Sequence, residues 1–148
     1  MAREVEFHIG LGDKPAYACR LLRKALARGL RVVVTGAPEQ LTRLDGLLWT
    51  FEATEFIPHA RLRRAETLNP LLARTPIWLA DDAGAVGAAD VLVNLGPAMA
   101  AGHAGFGRVI ELVAEDPDDL QAGRQRWRDY KAAGDAPRDV RQPSGAPG

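Results

Sequence analysis

Hydrophobic positions fall along this chain in two alternating rhythms. Glu4–Ile9, "EVEFHI", alternates polar and apolar residues and predicts a first strand. "GLGDKPA" breaks it, and Pro15 suits the first turn of a helix, where its missing N–H would be unpaired in any case. That helix is predicted over Pro15–Arg28, with Ala18, Leu21, Leu22, Ala25 and Leu26 as its buried stripe and Gly29 as its stop. "LRVVVTG" follows. Its unbroken Val32–Val34 run predicts a strand covered on both faces, as in a parallel sheet. A second helix is expected over "APEQLTRLDGLLW", with Leu41, Leu44, Leu47 and Leu48 on one side. Beyond the irregular "TFEATEFIPHARLRR" come three more strands, "PIWLA", "DVLVNLG" and "GRVIELVAED", and a final helix from Pro117 to Ala133.

Strands alternating with helices predict an α/β fold: one domain with a Rossmann-like, mostly parallel sheet flanked by helices. The domain is expected over residues 1–134. The Gly-, Pro-, Asp- and Arg-rich segment 135–148 reads as a disordered tail.

A chain of 148 residues can bury a core without disulfides or metal. Nineteen basic residues balance nineteen acidic ones, which argues against a general grip on nucleic acid and against strong direct DNA binding, while a local basic patch stays open. The one cysteine, Cys19, falls on a helical apolar stripe and reads as core. No apolar run reaches the ~18 residues of a membrane span, and none resembles a signal peptide, so a soluble cytoplasmic protein is expected.

The catalytic inventory is thin. Ser144, the one serine, lies in the tail, and no nucleophile elbow is present. His8, His59 and His103 are far apart, and Asp81–Asp82 lack a nearby third acid, so no metal site and no cofactor are expected. "GLGDKP", between a strand and a helix, sits where a dinucleotide fold holds phosphate, but Pro15 replaces the third glycine of the fingerprint. An α/β nucleotide-binding enzyme using the Gly10–Asp13 turn is therefore the alternative reading.

The last helix is richer. "LQAGRQRWRDYKAAG" sets Arg124 and Arg128 four apart on one face, with Trp127 and Lys131 on the adjoining stripe and Tyr130 close by. Cations interleaved with aromatics can clasp an acidic peptide with an apolar tip, because arginine forks onto carboxylates. The plainer reading is an amphipathic helix with Leu120, Trp127 and Tyr130 packed inward.

Three stretches together resemble the chi subunit family of bacterial DNA polymerase III holoenzyme. They are "VEFHIG…ACRLLRKALARGLRVVV"; "RLDGLLWTFEATEFIPHA", similar to a signature R-L-D-x-x-L-W-x-x-x-x-x-x-F-x-P-H; and "RQRWRDYKAAG". They span most of residues 4–134, and "LVNLG" also fits. The resemblance implies a Rossmann-like fold with no catalysis of its own, in a complex whose activity is that of a DNA-directed DNA polymerase. It implies two docking roles: to the small psi subunit, which tethers chi to the clamp loader, and to the acidic C-terminal tail of the single-stranded DNA-binding protein. Carried onto this chain, Trp49, Phe56, Ile57 and Pro58, with Leu48 in support, match the psi-contacting side. Val113, Arg124, Trp127 and Arg128 match the tail-binding pocket. Two departures stand out: Leu120 where some relatives place a cation, and Asp135 where an aromatic is often seen.

Overall fold

A computed structural model describes residues 3–50, 57–62, 75–86 and 89–141 of the chain. Seven strands, β1 Glu4–Leu11, β2 Val32–Thr35, β3 Ala60–Leu62, β4 Ile77–Ala80, β5 Val91–Asn94, β6 Arg108–Ala114 and β7 Arg138–Arg141, form one sheet in the order β3-β4-β2-β5-β6-β1-β7. Every pairing is parallel. Helices α1 Lys14–Ala27, α2 Pro38–Thr50 and α3 Pro117–Ala132 connect them, together with 3-10 turns at Ala83–Ala85 and His103–Gly105.

The alternation of each strand divides the core into two layers. Val32, Val34, Ile77, Leu79, Val93 and Leu112 join Ala18, Leu22, Leu41, Leu44 and Leu48 beneath α1 and α2. Val33, Trp78, Leu92, Val109, Val113, Phe7 and Tyr130 form the layer beneath α3. The continuous Val32–Val34 run thus serves both faces, as a doubly covered parallel strand requires. Each helix start follows its own sequence. Asp13 caps α1 through the Ala16 amide at 3.0 Å. Asp116 caps α3 through the Asp119 amide, also at 3.0 Å, and both helices carry proline in the first turn.

Two strands differ from expectation. β3 lies within the segment read as irregular. It is three residues long, and Arg61 is held there by the Leu79 carbonyl and by Asp81 at 2.7 Å. β7 lies within the tail expected to be disordered. There, residues 138–141 pair with β1 in register from Glu6↔Arg138 to Ile9↔Arg141. Its approach is fixed by Gly134 at φ 94°, by the Asp135 amide on the Tyr130 carbonyl, and by the Arg3–Asp135 ion pair at 2.9 Å. The departure at Asp135 is therefore a carboxylate doing anchoring work. The segments 1–2, 51–56, 63–74, 87–88 and 142–148, which include Phe56 and Ser144, lie outside the described residues.

Candidate peptide-binding groove

The groove is built by the close approach of α3 to β6. Gly123 makes that approach possible: a Cβ there would stand 2.9 Å from the Val113 side chain. Val113, buried, becomes the groove floor. Trp127, half-buried, leans on Phe7 with ring centroids 5.2 Å apart and planes tilted by 60°. Arg124 and Arg128, one turn apart, stay exposed along the rim. Among the described residues Arg128 bonds a neighbouring amide oxygen, that of Gln125, at 2.9 Å. These residues line a cavity of about 430 Å³, completed by Ile9, Leu120, Asp139 and Arg141. All four residues matched to the tail-binding pocket thus meet in one groove, an apolar slot bordered by cations.

What aims α3 is a residue the sequence reading passed over. Arg126, 1 % exposed, turns inward between the two outward arginines. Its Nε donates to Glu111 at 2.7 Å, and its terminal nitrogens donate to the Pro97 and Leu112 carbonyls at 3.0 and 3.3 Å. Glu111 also accepts from the Tyr130 hydroxyl at 2.7 Å and from the Asn94 amide at 3.0 Å. Asn94 in turn accepts from Thr35. Burial, and the Glu111 charge behind it, push the Tyr130 phenol well above its ordinary value. This closed network fixes the rotation of the helix and leaves Arg124 and Arg128 facing outward. A helical wheel carries the clue, since Gly123, Arg126 and Tyr130 share the buried stripe.

The residues matched to a psi-contacting side separate into two groups. Leu48 and Ile57, each 1 % exposed, belong to the core beneath α1 and α2, so they offer no surface to a partner. Trp49 is 60 % exposed, and Pro58 is half-buried. His59 supports them. Its Nδ1 lies 2.7 Å from the Ile57 carbonyl and its Nε2 lies 2.8 Å from Asp45, while Trp49 stacks edgewise on its ring at 5.2 Å. Much of the R-L-D…L-W…P-H pattern is accordingly structural. Leu44 and Leu48 fill the core, and Asp45 and His59 staple the chain to α2. Trp49 remains at the surface.

At the carboxyl ends of the strands, where doubly wound folds hold ligands, a second cavity of about 540 Å³ is lined by Gly12, Asp13, Lys14 and Arg43, by Asp116, which caps α3, and by Asp118 and Asp119 in its first turn. Lys14 is already engaged. Its Nζ bonds the Leu95 carbonyl at 2.5 Å and Asp119 at 2.7 Å, and burial lowers its pKa. Gly10 lies within β1 at a break in the β1–β6 register rather than in a phosphate-cradling loop. A wall of aspartates and a committed lysine oppose a phosphate, which removes the support for a nucleotide site at Gly10–Asp13. Elsewhere the candidate chemistry is spoken for. Asp82 caps the turn at Ala83–Ala85 through the Gly84 amide, and His103 packs edgewise on Tyr130 at 5.5 Å. Burial pushes the Cys19 thiol up to about 11, which leaves it inert.

The molecule is thus a doubly wound α/β domain that carries a cation-rimmed apolar groove beside its last helix. Residues 1–138 match the family model for the DNA polymerase III chi subunit, HolC, and the chain belongs to that family. It is 35 % identical over 127 residues to the DNA polymerase III subunit chi of Pseudomonas aeruginosa, covering 85 % of this chain and 84 % of that one. Membership places it among the accessory subunits of the replicative polymerase. The C-terminal domain of S. cerevisiae Dbp5 shares the fold, with a TM-score of 0.57 and 13 % identity over 95 % of this chain and 90 % of that one. Among the described residues no helix is long and apolar enough to cross a membrane.

Proposed function

We propose that this chain is a non-catalytic coupling subunit of the cytoplasmic replisome. It joins the clamp loader, through psi, to the C-terminal tail of the single-stranded DNA-binding protein. The observation that carries the reading is the convergence of Val113, Arg124, Trp127 and Arg128 on one groove. The tail enters as an acidic segment with an apolar end. Arg124 takes the terminal carboxylate or a tail aspartate, Arg128 supplies the second cation, and Trp127 and Val113 bound the slot for the terminal side chain. Because the arginines are exposed, attraction is screened by salt and the affinity is modest. DNA is met only through the protein that coats it, in keeping with zero formal net charge. The exposed Trp49 and the adjacent Pro58 form the side offered to psi, with Phe56 assigned there from its place in the signature. Exposed aromatic side chains suit such an interface. No cofactor enters the reading.

The test is titration of the full chain with a fluorescent peptide carrying the acidic, proline- and phenylalanine-ended tail of the cognate single-stranded DNA-binding protein. Saturable binding at low salt, weakened by Arg124→Ala and by Arg128→Ala without loss of thermal stability, is expected. Binding that ignores both substitutions contradicts the reading.

A further inference from the structure

The groove has two walls, and the second is made by a strand to which the family signature assigns no role. Laterally paired residues of a parallel ladder face the same side of the sheet. Phe7 faces α3, since its ring meets Trp127 and Tyr130. In the β1–β7 register Asp139 stands beside Phe7, and Arg141 beside Ile9. Both therefore rise on the α3 side and line the groove opposite Arg124 and Arg128. Arg138, one step out of phase, turns to the other face and pairs with Glu6. That pair, and the Arg3–Asp135 pair before it, fix β7 along β1. Asp139 and Arg141 are exposed, and neither forms an ion pair among the described residues. The lining thus carries three arginines and one carboxylate.

We infer that β7 is part of the peptide receptor, with Arg141 as a third cation that takes a ligand carboxylate from the wall facing α3, and Asp139 as a counter-charge that limits how acidic a peptide the groove accepts. The inference rests on the tail-binding reading above and extends it to specificity. An arginine on each side of the slot clamps an acidic chain that one helix alone could grip from a single side. A carboxylate on the same wall as Arg141 repels a ligand that places too many acids there, so occupancy depends on where the ligand's charges lie as well as on their number.

The experiment is fluorescence anisotropy of the same acidic tail peptide with the full chain, run at about 50 mM and about 500 mM salt. At low salt, Arg141→Ala is expected to weaken binding about three- to fivefold and Asp139→Asn to tighten it about twofold. Both effects should shrink at high salt. Against a peptide whose acidic side chains are replaced by their amides, Arg141→Ala should lose most of its effect, as a direct charge pairing requires. Loss of binding on Arg124→Ala with no change for Arg141→Ala and Asp139→Asn overturns the role of β7 while leaving the α3 receptor standing. Indifference to all four groove substitutions overturns both. Equal effects of Arg141→Ala on the acidic and the amidated peptide overturn the charge pairing, because a merely structural strand would act on both alike.

Discussion

Replacing Arg126 by methionine removes the one cation that pairs with Glu111 among the described residues. Glu111 is 0 % exposed and Arg126 1 %, so water cannot reach either group. The substitution deletes the 2.7 Å bond to Glu111 and the donors to the Pro97 and Leu112 carbonyls. The Asn94 amide and the Tyr130 hydroxyl remain on the carboxylate, but neither brings charge. Breaking a buried pair from one side costs about 3–5 kcal/mol, chiefly the desolvation of the charge left behind. Methionine refills most of the volume, so cavity formation adds little. Against a total stability of about 5–15 kcal/mol that is a large fraction, and for a domain of this size it lowers Tm by roughly 10 °C. Urea unfolding followed by tryptophan fluorescence reads it directly. The double variant Arg126→Met/Glu111→Gln, with the carboxylate neutralised, should regain part of the loss. A single variant within about 1 kcal/mol of the parent, or a double variant no better than the single, refutes the account of how α3 is aimed.

Acid sensitivity follows from a second buried cluster, on the α1 face. His8 contacts the Tyr17 hydroxyl at 2.5 Å and Glu6 at 3.3 Å, and burial lowers its pKa from the ordinary 6.5. Burial by itself would raise Glu6, but bonds from His8, Arg138 and Arg108 outweigh it and hold the carboxyl below 4.5. In both cases the unfolded chain takes up its proton first, so stability falls as pH drops below 6.5 and falls further below 4.5. Urea midpoints measured from pH 7.5 down to 5.5 should therefore decrease, and His8→Gln should flatten that decrease. Midpoints that stay level or rise in the parent contradict it. At the other surface, Trp49→Ala is expected to leave Tm within about 2 °C, because the ring is mostly exposed, while reducing pull-down of psi by tenfold or more, on the order of a hot-spot loss. Equal damage to folding and pull-down would contradict a partner-facing role for Trp49.

The α/β order was legible because buried strands and amphipathic helices print their periods on the sequence. Val32–Val34, Val91–Val93 and the α1 stripe are examples. β7 left no such trace. "RDVR" is an exposed edge strand that buries almost nothing, and its place is set by a backbone ladder and two ion pairs to residues more than 130 positions away. β3 is three residues long, too short for alternation to register. The site was half legible. Spacing four apart on a helix put Arg124 and Arg128 together, but it could not say that Arg126 between them turns inward, since a buried arginine is betrayed only by its partner, Glu111. Leu48 and Ile57 show the converse limit. An apolar residue in a signature reads equally as core or as interface, and these two are core.

Amide, indole and methyl chemical shifts recorded during a titration report whether α3 and β6 form a receptor for an acidic, apolar-tipped protein terminus. On adding the tail peptide of the single-stranded DNA-binding protein, the Trp127 indole, the Gly123 amide and the Val113 methyl groups should move together with a single saturation curve, while Trp49 and the Gly12–Lys14 turn stay still. Shifts concentrated at Trp49, or at the aspartate-lined cavity around Lys14, would contradict it.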